Sequence, residues 1–244
     1  FDPVCVRGSI DGMRKSGPLV AGHPGHPRDL SGYSIICGLD PAMIGDTAAI
    51  AYAIDRGSNK RYIIDAIKIT RPSPADIRDL IFNWTSLYGP SEWIVEKNAF
   101  QSFLTQDEGI RQHLASRGVL LREHHTGNNK WDAGFGVASM STLFGTKQHD
   151  GKHHRDNLIH LPSDQTENVK ALIEQLITWT PTTKGKTDLV MALWFCEIRA
   201  REMLNYGQYN SHHLKNPFLT SAEKRKRVVV NIDQLLADQN KHFV

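Results

Sequence analysis

Three acidic residues sit where apolar runs begin or end, positions at which a carboxylate is costly to place. Asp40 closes Ile35-Ile36-Cys37-Gly38-Leu39, Glu96 closes Trp93-Ile94-Val95, and Asp188 opens Leu189-Val190-Met191-Ala192-Leu193. Taken singly, two have ordinary explanations: an Asp before Pro41 makes a turn, and an Asp at a helix start caps it or complements its dipole. Glu96 is harder to explain alone, because an acid ending a buried run needs a partner. Three such carboxylates brought together would repel, and their pKa values would rise unless a cation intervened. Magnesium or manganese supplies that cation, since hard ions prefer oxygen ligands. Two such ions about 4 Å apart can activate a water on one side of a phosphodiester and stabilise the leaving oxygen on the other. In that scheme Asp40 bridges both ions, while Glu96 and Asp188 each complete one site. Asp46, six residues after Asp40, either supports the second ion or lies in the loop.

The elements that must carry these acids can be read from periodicity. Residues 34–40 form a continuous apolar strand, as expected of one covered on both faces. Residues 47–54 and 61–69 continue it as a meander around the turn at 55–60. Ser73 caps and Pro74 opens a helix with Ile77, Leu80, Ile81, Trp84, Leu87 and Tyr88 on one stripe, ended by Gly89-Pro90. There follow a strand at 92–96, a short helix at 107–117, a strand at 119–122, a helix at 131–144, a strand at 158–161 and a helix at 164–178. A last helix runs from Asp188 to about Leu204, capped by Thr187, with Glu197 and Arg201 pairing on its wetter face. The expected fold is α/β: a mixed sheet of five or slightly more strands with helices on both faces, the first strand in the middle and the fourth beside it. This order fits the ribonuclease H-like arrangement. Asp40 and Glu96 then end neighbouring strands, and the last helix brings Asp188 across the same end.

Residues 1–33, rich in Gly, Pro and His, show no helical or strand period and read as an arm or linker. Residues 34–206 read as the domain and 207–244 as a basic tail. The 244 residues are 40% hydrophobic and 23% charged, ordinary for a soluble globular protein. The longest apolar run, Leu189 to Cys196, is far below the roughly 20 residues that span a bilayer, so no membrane partner is expected. No charged-then-apolar leader opens the chain at Phe1, which reads as the start of a fragment or a processed piece. Cys5, Cys37 and Cys196 are odd in number and widely spaced, which argues against a disulfide framework and suits a reducing cytoplasm. A net charge of +3 and a pI of about 8.7 permit a nucleic-acid partner without requiring one. The pairs His124-His125, His153-His154 and His212-His213 lack the cysteines and spacing of a structural zinc site.

Four stretches in order, "GLDPAMIGDTAAI", "IVEKNAFQ", "HHTGNNKWDAGFGVASM" and "KGKTDLVMALW", together resemble the nuclease domain of the large terminase subunit of tailed bacteriophages. The resemblance runs from about Ile35 to Arg201. It implies a ribonuclease H-like fold and a metal-dependent, largely sequence-nonspecific endonuclease that cuts double-stranded viral DNA around genome packaging. It further implies that Asp40, Glu96 and Asp188 hold two magnesium or manganese ions, with Asp46 matching a further acid in some members. Lys130 of "GNNKWD" matches a basic position near the site and would touch the scissile phosphate or steady a carboxylate. Lys184 and Lys186 would contact DNA backbone beside the acids. The implied partners are the packaging ATPase domain, the small terminase subunit and the portal, and the implied place is the cytoplasm of the bacterial host. Some members carry paired acids at the third position, where this chain has Thr187 before Asp188. The ATPase part of such proteins has no counterpart in these residues.

Two rivals are carried by other residues. Gly185-Lys186-Thr187 before a helix looks like the end of a phosphate-binding loop, but Thr180 stands where the first glycine belongs and a helix precedes it. A ribonuclease H-like scaffold that only binds DNA or a protein would instead work through the basic run Glu223 to Arg227, which is otherwise a solvated face.

Overall fold

The computed structural model describes residues 1–42, 45–97, 107–132, 134–147, 154–155, 157–182 and 186–209. The chain divides into two compact units, Phe1–Glu202 and Met203–Val244. Of the second, the described residues are the last turns of a helix.

The first unit is built on a seven-stranded sheet. A short helix, α1 (Pro3–Gly8), leads into β1 (Ile10–Asp11). The meander follows as β2 (Tyr33–Asp40), β3 (Asp46–Asp55) and β4 (Lys60–Thr70), all antiparallel. Helix α2 (Pro74–Tyr88) crosses over to β5 (Glu92–Glu96), which lies parallel to β2, and α3 (Glu108–Ala115) crosses to β6 (Leu120–His124), parallel to β5. After 3₁₀ turns at Asn128–Trp131 and Val137–Phe144 and a small hairpin, β7 (Thr146–Lys147) and β8 (His154–Arg155), β9 (Ile159–Pro162) adds in parallel to β4. Helices α4 (Glu167–Thr178) and α5 (Asp188–Tyr209) are the last elements among the described residues. The strand order is β1-β9-β4-β3-β2-β5-β6, so the mixed α/β sheet has its first long strand in the interior with β5 beside it, as the element order implied.

Local chemistry explains the crossovers. Ser73 and Asp76 form a reciprocal capping box at the start of α2, Pro74 takes its first position, and Gly89 ends it in the left-handed conformation at φ 56°. Ile77, Leu80, Ile81, Trp84 and Tyr88 then press on Cys37, Leu39, Trp93 and Val95, the odd-numbered residues of β2 and β5. The even-numbered residues of those strands must face the other way, toward α5.

Three expectations are corrected. Residues 3–11 are ordered into α1 and β1, with β1 paired to β9, so part of the supposed arm belongs to the sheet. The stretch 131–144 is not one helix: Asp132 Oδ1 accepts from the amides of Gly134 and Phe135 at 2.7 and 2.8 Å, a local turn that competes with helix, and only Val137–Phe144 winds, as 3₁₀. Glu197 is fully buried rather than on a wet face. It pairs with Arg201 at 3.0 Å as expected, and also with Arg61 at 3.1 Å, and it accepts from the Tyr52 hydroxyl at 3.0 Å. Among the described residues no helix is long and apolar enough to cross a membrane, and Cys5, Cys37 and Cys196 are all buried.

Candidate functional site

Ladder register decides which side chains meet. Gly38 pairs with Ile94 and Leu39 with Val95 in the parallel β2–β5 ladder. Asp40 and Glu96 are each one residue past the last of these pairs, so they leave the sheet at the same level and on the same face. That face is the one α5 covers. A Cβ on Gly38 would come within 2.2 Å of the Ala192 carbonyl oxygen and 2.7 Å of Cys196 Sγ, so only glycine lets helix and strand approach this closely. Asp188 lies one turn before Ala192 on the same helix, which carries it toward Asp40.

The first amides of α5 are held from outside the helix. Leu189 and Val190 donate to Gln175 Oε1 of α4 at 3.0 and 3.3 Å, and Gln175 is buried. A neighbouring helix therefore fixes the start of α5, a role assigned from sequence to Thr187. The first turns are buried through Leu189, Val190, Ala192 and Leu193.

The acids sense one another. Burial raises the Asp40 carboxyl well above the usual range, and the charges of Glu96 and Asp188 push it further, as does a hydrogen bond shared with Glu96. Asp188 is also raised, first by burial and then by the charge of Asp46, against the opposing pull of Lys186 and Lys68. Asp46 behaves differently. It is buried, its Oδ2 accepts from Lys186 Nζ at 2.6 Å with Lys68 Nζ at 3.7 Å, and the hydrogen bond from Lys186 lowers its pKa. Its Oδ1 is buried and makes no hydrogen bond, while the Thr70 side chain adds to the lowering of the Asp46 pKa.

This donor set suits a hard divalent cation: every ligand is a carboxylate oxygen, no Lys or Arg among the described residues is paired with Asp40, and Asp46 Oδ1 is unclaimed. Asp40 feels the charges of the other two acids, yet among the described residues no group of three or more His, Cys, Asp or Glu side chains is placed to hold a metal ion.

The remaining sequence-derived positions separate. Lys130 is half-buried in the first 3₁₀ turn, with Nζ 4.8 Å from the centre of the Trp131 ring. Lys186 reaches the acids but is spent on Asp46. Lys184, Gly185, His153, His212, His213 and the run Glu223 to Arg227 lie outside the described residues. Of the proposed phosphate loop, the element before it is α4 and not a strand.

Two neighbours were missed from sequence. His124 pairs with Glu96 in the β5–β6 ladder and packs on Trp194 and Phe195 at 5.2 and 5.5 Å between ring centres. Burial lowers its pKa, while Glu202 and Glu96 oppose that. Its only sequence signal was the His-His pair. Glu92, at the other end of β5, is gripped by Arg199 at 2.7 and 2.8 Å and by Arg122. With His124, both arginines line a groove of about 440 Å³ between β6 and α5.

No protein-family model and no curated protein sequence matches this chain. Solved structures do. The nuclease domain of the large terminase subunit of bacterial virus Sf6 superposes with a TM-score of 0.51 at 9% identity, covering 80% of this chain and 96% of that one. The large terminase nuclease of thermophilic phage G20c, solved with bound zinc, gives 0.50 at 12% identity, covering 87% of this chain and all of that one. At these identities the likeness is one of fold: this chain has the ribonuclease H-like architecture seen in large terminase nucleases.

Proposed function

We propose that this chain is a divalent-metal-dependent DNA endonuclease, the cutting part of a viral genome-packaging machine. The observation that carries the reading is that register brings Asp40 and Glu96 out of neighbouring strands on one face while the α5–β2 contact at Gly38 brings the start of α5 to the same end, so that Asp40 feels the charges of both Glu96 and Asp188. The shared architecture with the Sf6 and G20c nucleases supports it. Asp40, Glu96 and Asp188, with Asp46 Oδ1 beside them, would hold two magnesium or manganese ions, and these would supply positive charge to a phosphodiester and acidity to an attacking water.

The chain's own residues do the positioning. Gly38 lets α5 sit against β2, and Gln175 fixes the start of that helix, so Asp188 is held to Asp40 by backbone rather than by a flexible side chain. Lys186 and Lys68 anchor Asp46 through Oδ2 and leave Oδ1 directed elsewhere. Lys130 and Lys184 would meet backbone phosphates, a sequence-independent contact, whereas Lys186, expected from sequence to do the same, is held by Asp46. Double-stranded DNA is the substrate in this reading. The packaging ATPase, small terminase subunit and portal are the partners, and the host cytoplasm is the place.

The test is supercoiled plasmid incubated with the protein and manganese, without ATP. Nicking and linearisation abolished by chelator and by Asp40→Asn are expected. Retardation of DNA without cutting would favour a non-catalytic binding module, and an ATP requirement lost in Lys186→Ala would favour a phosphate loop.

A further inference from the structure

A second site lies at the opposite end of β2. Tyr33 begins the strand that Asp40 ends, about 23 Å away at the usual rise per residue. Tyr33, Tyr62, Leu19, His26, Asp11 and Arg14 enclose a cavity of about 210 Å³. Arg14 is only 1% exposed. Its backbone is pinned to the end of β9, with Ser163 donating to its carbonyl from both amide and hydroxyl at 2.7 and 2.9 Å. Its guanidinium lies 5.2 Å from the centre of the Tyr62 ring, and Nη2 donates to the His160 carbonyl at 3.3 Å. Nε and Nη1 are buried and donate to nothing. Those two nitrogens carry three N–H groups, and an always-charged group left so is costly.

The acids nearby do not answer this need. Asp11 and Asp164 act on Arg14 through charge alone. Asp11 Oδ1 accepts from the Met13 amide, and Asp164 Oδ1 from the Ser16 amide and hydroxyl. The cavity is roofed by the Gly- and Pro-rich segment. Gly25, at φ +78°, sits so near that an added Cβ would be 2.0 Å from the Met13 carbonyl oxygen, and His26 Nδ1 accepts from the Val20 amide at 2.9 Å.

We propose that this cavity binds a tetrahedral phosphate oxyanion, which accepts from Nε and Nη1 of Arg14 against the walls of Tyr33 and Tyr62. Charge-assisted bonds to phosphate are what arginine makes best, and one bound anion would fasten residues 19–27 to the sheet. The phosphate is either free or the terminal group of a nucleic-acid strand.

The full chain, kept in chelator so that the acidic site plays no part, is titrated with millimolar inorganic phosphate against chloride at equal ionic strength. The melting temperature should rise by about 3–6 °C near saturation. Arg14→Met should lose the shift and Asp40→Asn should keep it. Should Arg14→Met fail to fold, Leu19→Trp, which fills the cavity and spares Arg14, should lose it instead. No shift in the wild type, or an equal shift in wild type and cavity variants, overturns the site. A 5′-phosphorylated dinucleotide that binds more tightly than inorganic phosphate names a strand end as the source, and the reverse order names free phosphate.

Discussion

Glu92 and Glu96 open and close the same strand and lie on the same face of the same sheet, beneath the same helix. Their surroundings differ in one respect. Glu92 is met by Arg199 and Arg122, and although burial opposes it, those two arginines lower its pKa. Glu96 meets Asp40, and beyond it Asp188, so acid is set against acid. The first arrangement is complete within the chain. The second is unfavourable until positive charge arrives from outside, and that asymmetry separates a stabilising network from a site. Asp46 stands between them, with one oxygen neutralised by lysine and the other unclaimed.

The comparison can be broken most severely at Asp40. Asp40→Asn should lower metal-dependent cleavage by about 10³-fold or more while raising the melting temperature in chelator at neutral pH. The sign follows from the raised folded-state pKa. Stability from holding the Asp40 proton is fully present below the ordinary Asp range and is lost as pH rises through the raised value. The amide has no such loss, so the two melting curves should part as pH rises. Equal melting temperatures across pH 4 to 8 would mean the acids do not strain one another.

Gly38→Ala attacks the geometry instead. The new methyl must displace the Ala192 backbone, which should cost about 1–3 kcal/mol and reduce cleavage by moving Asp188 from Asp40. Full activity with unchanged denaturant midpoint would contradict the close approach.

Arg199→Met tests the completed network and should spare cleavage. With Arg122 remaining, the loss should be about 1–2 kcal/mol, below the usual cost of stripping a buried pair. Because the Glu92 pKa is depressed, the deficit should be full above the ordinary Glu range and shrink as pH falls through the depressed value. A deficit growing toward acid would reverse the assignment.

Lys186→Ala is the mildest change. Its ammonium is exposed, so the melting temperature should move by no more than about 1–2 °C, and cleavage should remain indifferent to ATP.

What the sequence made legible follows from locality. An acid directly after an apolar run, as at Asp40 and Glu96, is visible without coordinates, and so are the capping box at Ser73 and the parallel neighbours β2 and β5. Pairings across long separations are not visible: Arg199 lies 107 residues from Glu92, and Lys186 lies 140 from Asp46. Gln175 as the cap of α5 was hidden for the same reason. Helix α1 was missed because six residues hold too little of a helical period to detect, and the 131–144 helix was over-read because its apolar spacing outweighed Gly134 and Gly136. Gly38 looked like a small strand residue, since nothing in the sequence says which helix will press on it.

The most direct test is calorimetric titration of the wild type and Asp40→Asn with manganese, in two buffers of different ionisation enthalpy. The wild type should bind and release protons as the Asp40 carboxyl gives up its hydrogen, and the variant should bind far more weakly with little proton release. Equal binding by both proteins, or binding by the wild type without proton release, would show that these acids are not where the cations go.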